Sequence, residues 1–178
     1  MRAIMALIIR ELTTSNSKAL GGYFWTLAEP IAGTAVMSVL FSLIMRTPPI
    51  GTNFQIFYAS GILVFAMYRD VQARVSSAIP VSRALLRYPA ILYIDAVIAR
   101  VIAAIMTQTI VMFIIFVAIS LIWETRTEFN PLYALSAVIG AIFLGLGFGL
   151  INAFAFAFVP IWRSIWSTIN RPLILISG

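Results

Sequence analysis

Two residue types that build many active sites are missing from this 178-residue sequence, which contains no cysteine and no histidine. Zinc sites are built mainly from thiolates and imidazoles, so neither a structural nor a catalytic zinc site of that kind is available. Disulfide bonds, a thiol nucleophile and a serine–histidine–aspartate triad are excluded for the same reason. These two absences remove whole classes of enzyme chemistry.

Charged residues are scarce as well. They make up 10% of the sequence, whereas about 25% is usual in a soluble domain. Hydrophobic residues make up 62%, and the mean hydropathy is +1.03. A surface that water solvates cannot be built from this composition, so the sequence predicts an integral membrane protein.

The sequence also lacks a phosphate-binding loop of the form G-x-x-x-x-G-K-[ST]. Its one glycine-dense run, Gly140 to Gly149, has no lysine after it and lies inside a continuous apolar stretch. The chain is therefore not expected to bind ATP through such a loop, and no cofactor or metal is expected.

The charges that are present number twelve basic and six acidic residues, a net charge of +6. The basic residues lie between apolar runs and form no continuous stripe with stacking aromatics, which disfavours nucleic-acid binding. The acidic residues are scattered, whereas a membrane-embedded glycosyl or phosphoryl transferase usually gathers carboxylates for metal or acid–base work. Such an enzyme stays the less favoured alternative.

Long charge-free runs are the main structural signal, because a helix needs about 20 mostly apolar residues to cross a membrane. Four complete spans are predicted: residues 27–45, 54–68, 101–123 and a fourth between Pro131 and Pro160. A fifth apolar run begins at Pro172, and the few residues that follow are too short to span. We therefore expect an all-α polytopic fold that is truncated inside its fifth helix.

The distribution of lysine and arginine predicts the orientation of these spans. Ten of the twelve lie before span one, between spans two and three, or after span four, and only Arg46 and Arg126 lie in the alternate loops. Because cytoplasmic loops carry the excess of positive charge, the N-terminus and the connection after span two are expected in the cytoplasm.

The first residues are predicted to form an amphipathic helix that lies along the membrane surface. No small-x-small cleavage site follows them, which argues against a secretory signal. On a helix, the apolar side holds Met1, Met5, Ile8, Ile9 and Leu12, and the other side holds Arg2, Arg10 and Thr13.

Span four contains a GxxxG pattern at Gly145 and Gly149, with Gly140 nearby. Small residues at this spacing let another helix approach closely. Packing within the chain is the favoured interpretation, and a seam between two copies is the alternative.

The connection between spans two and three contains a predicted short helix, residues 81–88, between Pro80 and Pro89. Arg83 and Arg87 share one face of it, and Val81 and Leu85 share another. It suits either a solvated loop helix or a surface that docks into a partner's groove.

Taken in order, these segments resemble the permease subunits of ABC-2 type polysaccharide exporters, especially those that export capsular polysaccharide. The resemblance covers essentially the whole sequence. It rests on Arg10-Glu11, Leu20 to Trp25 with Glu29-Pro30, Tyr58 to Ile62, Leu85 to Pro89 with Ile94 to Arg100, and Arg171 to Leu173 with Ile176 to Gly178.

The resemblance implies a homodimer of six-helix subunits in the bacterial inner membrane, a separate ABC ATPase subunit on the cytoplasmic side, and a lipid-linked polysaccharide as cargo. The chain itself would then not be an enzyme. It would form one ABC-2 transmembrane domain, residues 1–178, incomplete at its C-terminus. Its parts would be an interface helix and linker (1–26), spans one and two (27–68), a cytoplasmic coupling loop (69–96), and spans three, four and the start of five (97–178).

Three groups of candidate site residues follow. ATPase coupling is assigned to Val81, Arg83, Leu85, Arg87 and Tyr88. The cytoplasmic mouth is assigned to Glu29, Asp95 and Arg100. There Asp95 and Arg100 are a possible ion pair, although their i, i+5 spacing is imperfect and an ordinary cytoplasmic arginine fits equally well.

The third group is a polysaccharide path. Phe154 and Phe158 are four residues apart and would form an aromatic strip, with Asn152 as a polar neighbour near the same end. Aromatic faces pack on the C–H faces of sugars without a fixed hydrogen-bond pattern. Phenylalanines that face lipid or the protein core are the alternative.

Two further functions stay open. One is an ABC-2 permease that exports lipid or drug. The other is an ion-coupled transporter or channel, which is disfavoured because the spans hold no ionisable residue at mid-membrane, only Thr107, Gln108 and Asn152 as notable polar groups.

Overall fold

The computed structural model describes residues 2–14, 28, 31–33, 35–36, 40, 54–82, 93–122, 130–159 and 161–176. Within these ranges the chain is helical and no strand occurs, which confirms the all-α class. The helices are α1 (Arg2–Thr14), α2 (Phe54–Ser76), α3 (Ala78–Ser82), α4 (Tyr93–Ile122), α5 (Pro131–Phe158) and α6 (Trp162–Ile176). Predicted span one lies mostly outside the described residues.

Helices α4 and α5 are long and apolar enough to cross a membrane. Their 30 and 28 residues would each extend over about 40 Å at about 1.5 Å per residue, more than the ~30 Å hydrocarbon core. Helix α4 covers residues 101–122 of the predicted third span, and α5 lies within the predicted fourth span. Helix α5 begins at Pro131, directly after Asn130, whose side-chain oxygen accepts a hydrogen bond from the Leu132 N–H at 3.1 Å. This arrangement caps the first turn of the helix.

Helix α2 does not end where its apolar run ends. The sequence placed the second span at residues 54–68 and a loop from residue 69, whereas the helix continues to Ser76. Val71, Gln72 and Val75 are buried in this extension, and Arg74 forms an ion pair with Asp70 one turn before it, at 3.0 Å. The helix therefore continues because its last two turns have their own buried face.

The three long helices alternate in direction. Ala59 and Leu63 of α2 cluster with the later part of α4, at Val111 and Ile115. Met67 and Val71 cluster with Ala104 instead, so α2 and α4 are antiparallel. Helices α2 and α5 are parallel, because Val71 lies beside Gly145 and Val75 lies beside Gly149. The C-terminal ends of α2 and α5 and the N-terminal end of α4 therefore meet at one end of the bundle.

The two glycines of the GxxxG pattern on α5 pack against α2 of the same chain. A Cβ added to Gly145 would lie 2.8 Å from the Tyr68 carbonyl oxygen, and one added to Gly149 would lie 2.7 Å from the Val75 Cβ. Neither distance leaves room for a side chain. The favoured interpretation, packing within the chain, is confirmed for these two glycines. At Gly140 an added Cβ would meet no atom within 4 Å.

Helix α1 packs on α4. Leu7 is buried, and Glu11, one turn later, reaches α4 through an ion pair. Met5 and Ile9, which the sequence placed on the apolar side of this helix, are both exposed. An apolar surface that the protein does not cover is what a helix lying on a membrane requires.

Candidate functional site

The polar contacts that join different helices are concentrated where α1, α2, α3 and α4 meet. Arg100 lies two turns into α4 and is 9% exposed. Its Nε and Nη2 atoms both donate to Glu11 Oε1 of α1, at 3.0 and 2.8 Å. Its Nη1 atom donates to the Arg74 carbonyl oxygen at 3.2 Å and to Ser77 Oγ at 3.1 Å. We call Arg100, Glu11, Arg74 and Ser77 the arginine junction.

The three partners of Arg100 lie in different parts of the chain. Glu11 is in α1, the Arg74 carbonyl is in the last turn of α2, and Ser77 is the single residue between α2 and α3. The last carbonyls of a helix have no partner within it and carry its negative dipole end, so a guanidinium there is doubly favourable. Ser77 Oγ donates in turn to the Ala73 carbonyl at 2.7 Å.

The arginine junction gives Arg100 a partner that the sequence did not suggest. The sequence offered two interpretations, an ion pair with Asp95 and an ordinary cytoplasmic arginine, and the carboxylate that Arg100 contacts is Glu11. Asp95 lies in the first turn of α4, where a carboxylate is favourable toward the helix dipole. Glu29, the third residue assigned to the cytoplasmic mouth, lies outside the described residues.

Sequence reasoning missed the arginine junction because its members are far apart in the chain. Arg100 and Glu11 are separated by 89 positions, and no spacing rule relates them. The sequence did contain two local signals of a polar contact. Glu11 interrupts the amphipathic first helix, and Arg100 interrupts the start of an apolar run.

The predicted coupling helix is described only at its start. Helix α3 begins at Ala78 and includes Pro80, so it begins before the predicted first residue, Val81. Val81 is 51% exposed, close to the end of the described part of α3. Arg83, Leu85, Arg87 and Tyr88 lie outside the described residues, so their coupling role stays a prediction.

The residues assigned to the polysaccharide path lie on two sides of α5. Phe154 and Phe158 are 68% and 69% exposed, and their ring centroids are 4.5 Å apart. Asn152 is 1% exposed, on the face that also holds Gly145 and Gly149. Its Oδ1 atom accepts a hydrogen bond from Trp162 Nε1 at 2.9 Å. The strip therefore exists as a pair of contacting exposed rings, and Asn152 lies away from it.

A second aromatic row, which the sequence did not reveal, lines an open groove between the helices. Tyr68 meets Phe148 edge to face, and Phe148 stacks on Trp166, with ring centroids 6.2 Å apart in both pairs. The groove has a volume of about 1120 Å³ and an almost entirely apolar lining, which includes small residues such as Gly61 and Gly140 beside large ones. Three helices contribute to the row, so no single stretch of sequence could show it.

Among the described residues, no three side chains of the histidine, cysteine, aspartate or glutamate type lie together where they could hold a metal ion. The polar groups at the arginine junction are an ion pair, one hydroxyl and a backbone carbonyl that bind one another. Their arrangement is suited to joining helices and not to acid–base chemistry.

Comparison with known proteins gives no match to a family model. It gives similarity to individual proteins along nearly the whole chain. The capsule polysaccharide export inner-membrane protein CtrC of Neisseria meningitidis serogroup B is 27% identical over 178 residues, which cover 99% of this chain and 67% of that protein. The polysialic acid transport protein KpsM of Escherichia coli is 26% identical over 178 residues, 98% of this chain and 67% of that protein.

A third relative, the capsule polysaccharide export inner-membrane protein BexB of Haemophilus influenzae, is 24% identical over 177 residues, 99% of this chain and 67% of that protein. These similarities confirm the resemblance that the sequence segments indicated.

Proposed function

We propose that this chain, which resembles the inner-membrane proteins of capsular polysaccharide export along nearly its whole length, is a permease component of such an exporter. The observation that carries the proposal is the similarity to CtrC and KpsM over 98–99% of the chain. The two helices long and apolar enough to span a membrane agree with it. The relatives' names support an inner-membrane location and a transport role.

The energy for export would come from a separate ABC ATPase subunit. The chain has no phosphate-binding loop of its own, and the relatives are transport components, so the chain is not expected to be an enzyme. The remaining proposed partners are a second copy of the permease, membrane lipid, and a polysaccharide or glycolipid as cargo. These partners follow from the resemblance.

We propose that residues 1–178 form an N-terminal interface helix, four spans and the start of a fifth, with the N-terminus in the cytoplasm. The exposed Met5 and Ile9 of α1 support a surface position for that helix. The alternating directions of α2, α4 and α5 support three consecutive spans. The cytoplasmic orientation rests on the distribution of basic residues.

The docking segment for the ATPase would be residues 81–88. The exposed Val81 at the start of this segment supports the proposal, as does the position of α3 directly after the end of α2. If the charge-rich end of the bundle faces the cytoplasm, this segment lies where an ATPase subunit would bind.

The function can be tested by deleting the gene for this chain in its own organism and staining for surface polysaccharide. Loss of surface polysaccharide, with accumulation inside the cell and recovery from a plasmid copy, is the expected result. Normal surface polysaccharide in the deletion strain would overturn the proposal.

One structural observation favours a second candidate, an ABC-2 permease that exports lipid. The groove beside Tyr68 and Phe148 is almost entirely apolar, as an acyl chain would require. In the same deletion strain, a changed lipid composition of the outer leaflet with normal surface polysaccharide would support this candidate.

A further inference from the structure

Arg100 of α4 contacts α1, α2 and the residue between α2 and α3 through one planar group. A guanidinium presents five donors in a fixed fork, so it can hold several partners in a defined geometry, whereas a lysine is a flexible point charge. Here one side of the fork holds Glu11 of α1 and the other holds the end of α2 and the residue before α3. The side chains of Arg100 and Glu11 are only 11% and 17% exposed, which limits the screening of the pair by water.

The link from Ser77 to α3 is continuous. The Ser77 N–H donates to the Ala73 carbonyl and the Val81 N–H donates to the Ser77 carbonyl, both at 3.2 Å. Backbone hydrogen bonds with helical spacing therefore join Ser77 both to the end of α2 and to α3. A displacement of α3 will move Ser77, and Ser77 is bonded directly to Arg100.

The link from Arg100 to α1 is equally direct. Two donors of Arg100 converge on one oxygen of Glu11, and the buried Leu7 one turn earlier holds the same side of α1 in the bundle. Met5 and Ile9 face away from the bundle. The Glu11 carboxylate thus gives a charged contact between this helix and α4.

We propose that Arg100 is a positioning residue that transmits movement of the ATPase-docking segment to α1 and α4. The inference rests on the proposed function, because it takes residues 81–88 as the place where the ATPase acts. Two-state coupling between sites needs a physical connection that differs between the states. The guanidinium of Arg100 in α4, bonded to α1 and to the α2–α3 break, supplies that connection, since a shift of α3 that moves Ser77 stretches or exchanges the bond between Ser77 and Arg100.

The test uses the full-length permease that carries this sequence, purified with its ATPase subunit and reconstituted in vesicles. Three quantities are measured: retention of the ATPase, ATP hydrolysis, and polysaccharide exported per ATP hydrolysed. The variants are Arg100→Lys, which keeps the charge and loses the fork, Glu11→Gln, which keeps the shape and loses the charge, and Ser77→Ala.

Two control variants remove similar contacts that lie within one helix. Ser136→Ala removes a hydroxyl that donates to the Tyr133 carbonyl inside α5. Ser120→Ala removes a hydroxyl that donates only to the Val117 carbonyl inside α4. Neither contact connects two elements, so both variants are expected to export normally.

In the Arg100 and Glu11 variants, export per ATP is expected to fall about tenfold, which lies within the usual range of coupling between sites. ATPase retention and hydrolysis are expected to change less than about twofold, because the docking segment itself is intact. Ser77→Ala is expected to change export per ATP in the same direction and by less.

An unchanged export-to-hydrolysis ratio in Arg100→Lys and Glu11→Gln would overturn the inference and leave the proposed function standing. Loss of ATPase binding or of folded protein in both variants would also overturn it, since the arginine junction would then be structural only. Failure of the unmodified complex to export any polysaccharide would overturn the proposed function itself, and the inference with it.

Discussion

Gly149 and Val75 are in such close contact that no side chain fits between them. A Cβ added to Gly149 would lie 2.7 Å from the Val75 Cβ and 3.2 Å from the Gln72 carbonyl oxygen. Gly145 meets Tyr68 and Val71 in the same way one turn earlier. These two glycines let α5 approach α2 closely, as small residues do between membrane helices.

Replacement of either glycine by alanine is therefore expected to destabilise the protein. The added methyl group would force α2 and α5 apart, at a cost of about 1–3 kcal/mol for overpacking. A lower midpoint temperature of thermal unfolding in detergent would show this loss of stability.

Gly140→Ala and Gly147→Ala are the matched controls, because an added Cβ meets no atom within 4 Å at either position. Alanine is the better helix former, by about 0.8–1 kcal/mol. Both control variants should be at least as stable as the unmodified protein. Equal midpoints of thermal unfolding for all four glycine variants would contradict the close packing of α5 on α2.

Trp162 and Trp166 are one turn apart on α6, but their replacement by phenylalanine is expected to destabilise the protein to different extents. Trp162 Nε1 donates to Asn152 Oδ1 at 2.9 Å, whereas Trp166 Nε1 is buried without a hydrogen-bond partner within the described structure. Trp162→Phe should cost about 1 kcal/mol more than Trp166→Phe, since only the first leaves a buried acceptor unpaired. Thermal unfolding of the two purified variants measures the difference, and a greater loss for Trp166→Phe would contradict it.

The role of the aromatic pair on α5, Phe154 and Phe158, can be tested by measuring export. If Phe154 and Phe158 line the polysaccharide path, the double change to alanine should reduce surface polysaccharide severalfold, with protein abundance and ATPase binding preserved. The contact area that their faces offer to a sugar would be lost. Surface polysaccharide is measured by staining intact cells.

A matched control for that prediction lies on α4. Phe113 and Val117 are also exposed apolar residues four positions apart, so their double change to alanine removes a similar apolar surface from another helix. It should leave export unchanged. Normal export by the Phe154 and Phe158 double variant would contradict the polysaccharide path and indicate that these exposed rings face lipid.

The docking segment, residues 81–88, is expected to couple ATP hydrolysis to export. Replacement of Leu85 and Arg87 together by alanine should uncouple export from ATP hydrolysis while the protein still inserts, because both predicted faces of the short helix are changed at once. Co-purification of the ATPase and stimulation of its activity are the measurements. If both are unchanged in the double variant, residues 81–88 do not dock the ATPase.

The orientation can be measured directly. A reporter fused after Ser17 should lie in the cytoplasm, and one fused after Arg126 should lie in the periplasm, since the basic residues are concentrated on the N-terminal side of the membrane. A periplasmic signal from the Ser17 fusion would contradict both the orientation and the surface position of α1.

Composition and local pattern determined much of this protein by themselves. The scarcity of charge and the long apolar runs predicted an all-α membrane protein, and the described helices confirm the all-α class. The segments from Arg10 to Gly178 indicated the polysaccharide export permeases, and the comparisons confirm the resemblance. These features are local or additive, since hydropathy is a sum over residues and a motif is a fixed spacing.

Tertiary structure alone decided which distant residues meet. The end of α2 at Ser76 depends on a buried face that only packing creates. The pairing of Arg100 with Glu11 joins residues separated by 89 positions, and the row from Tyr68 through Phe148 to Trp166 draws one ring from each of three helices. Such contacts are set by the relative positions of whole helices, so no local spacing in the chain encodes them.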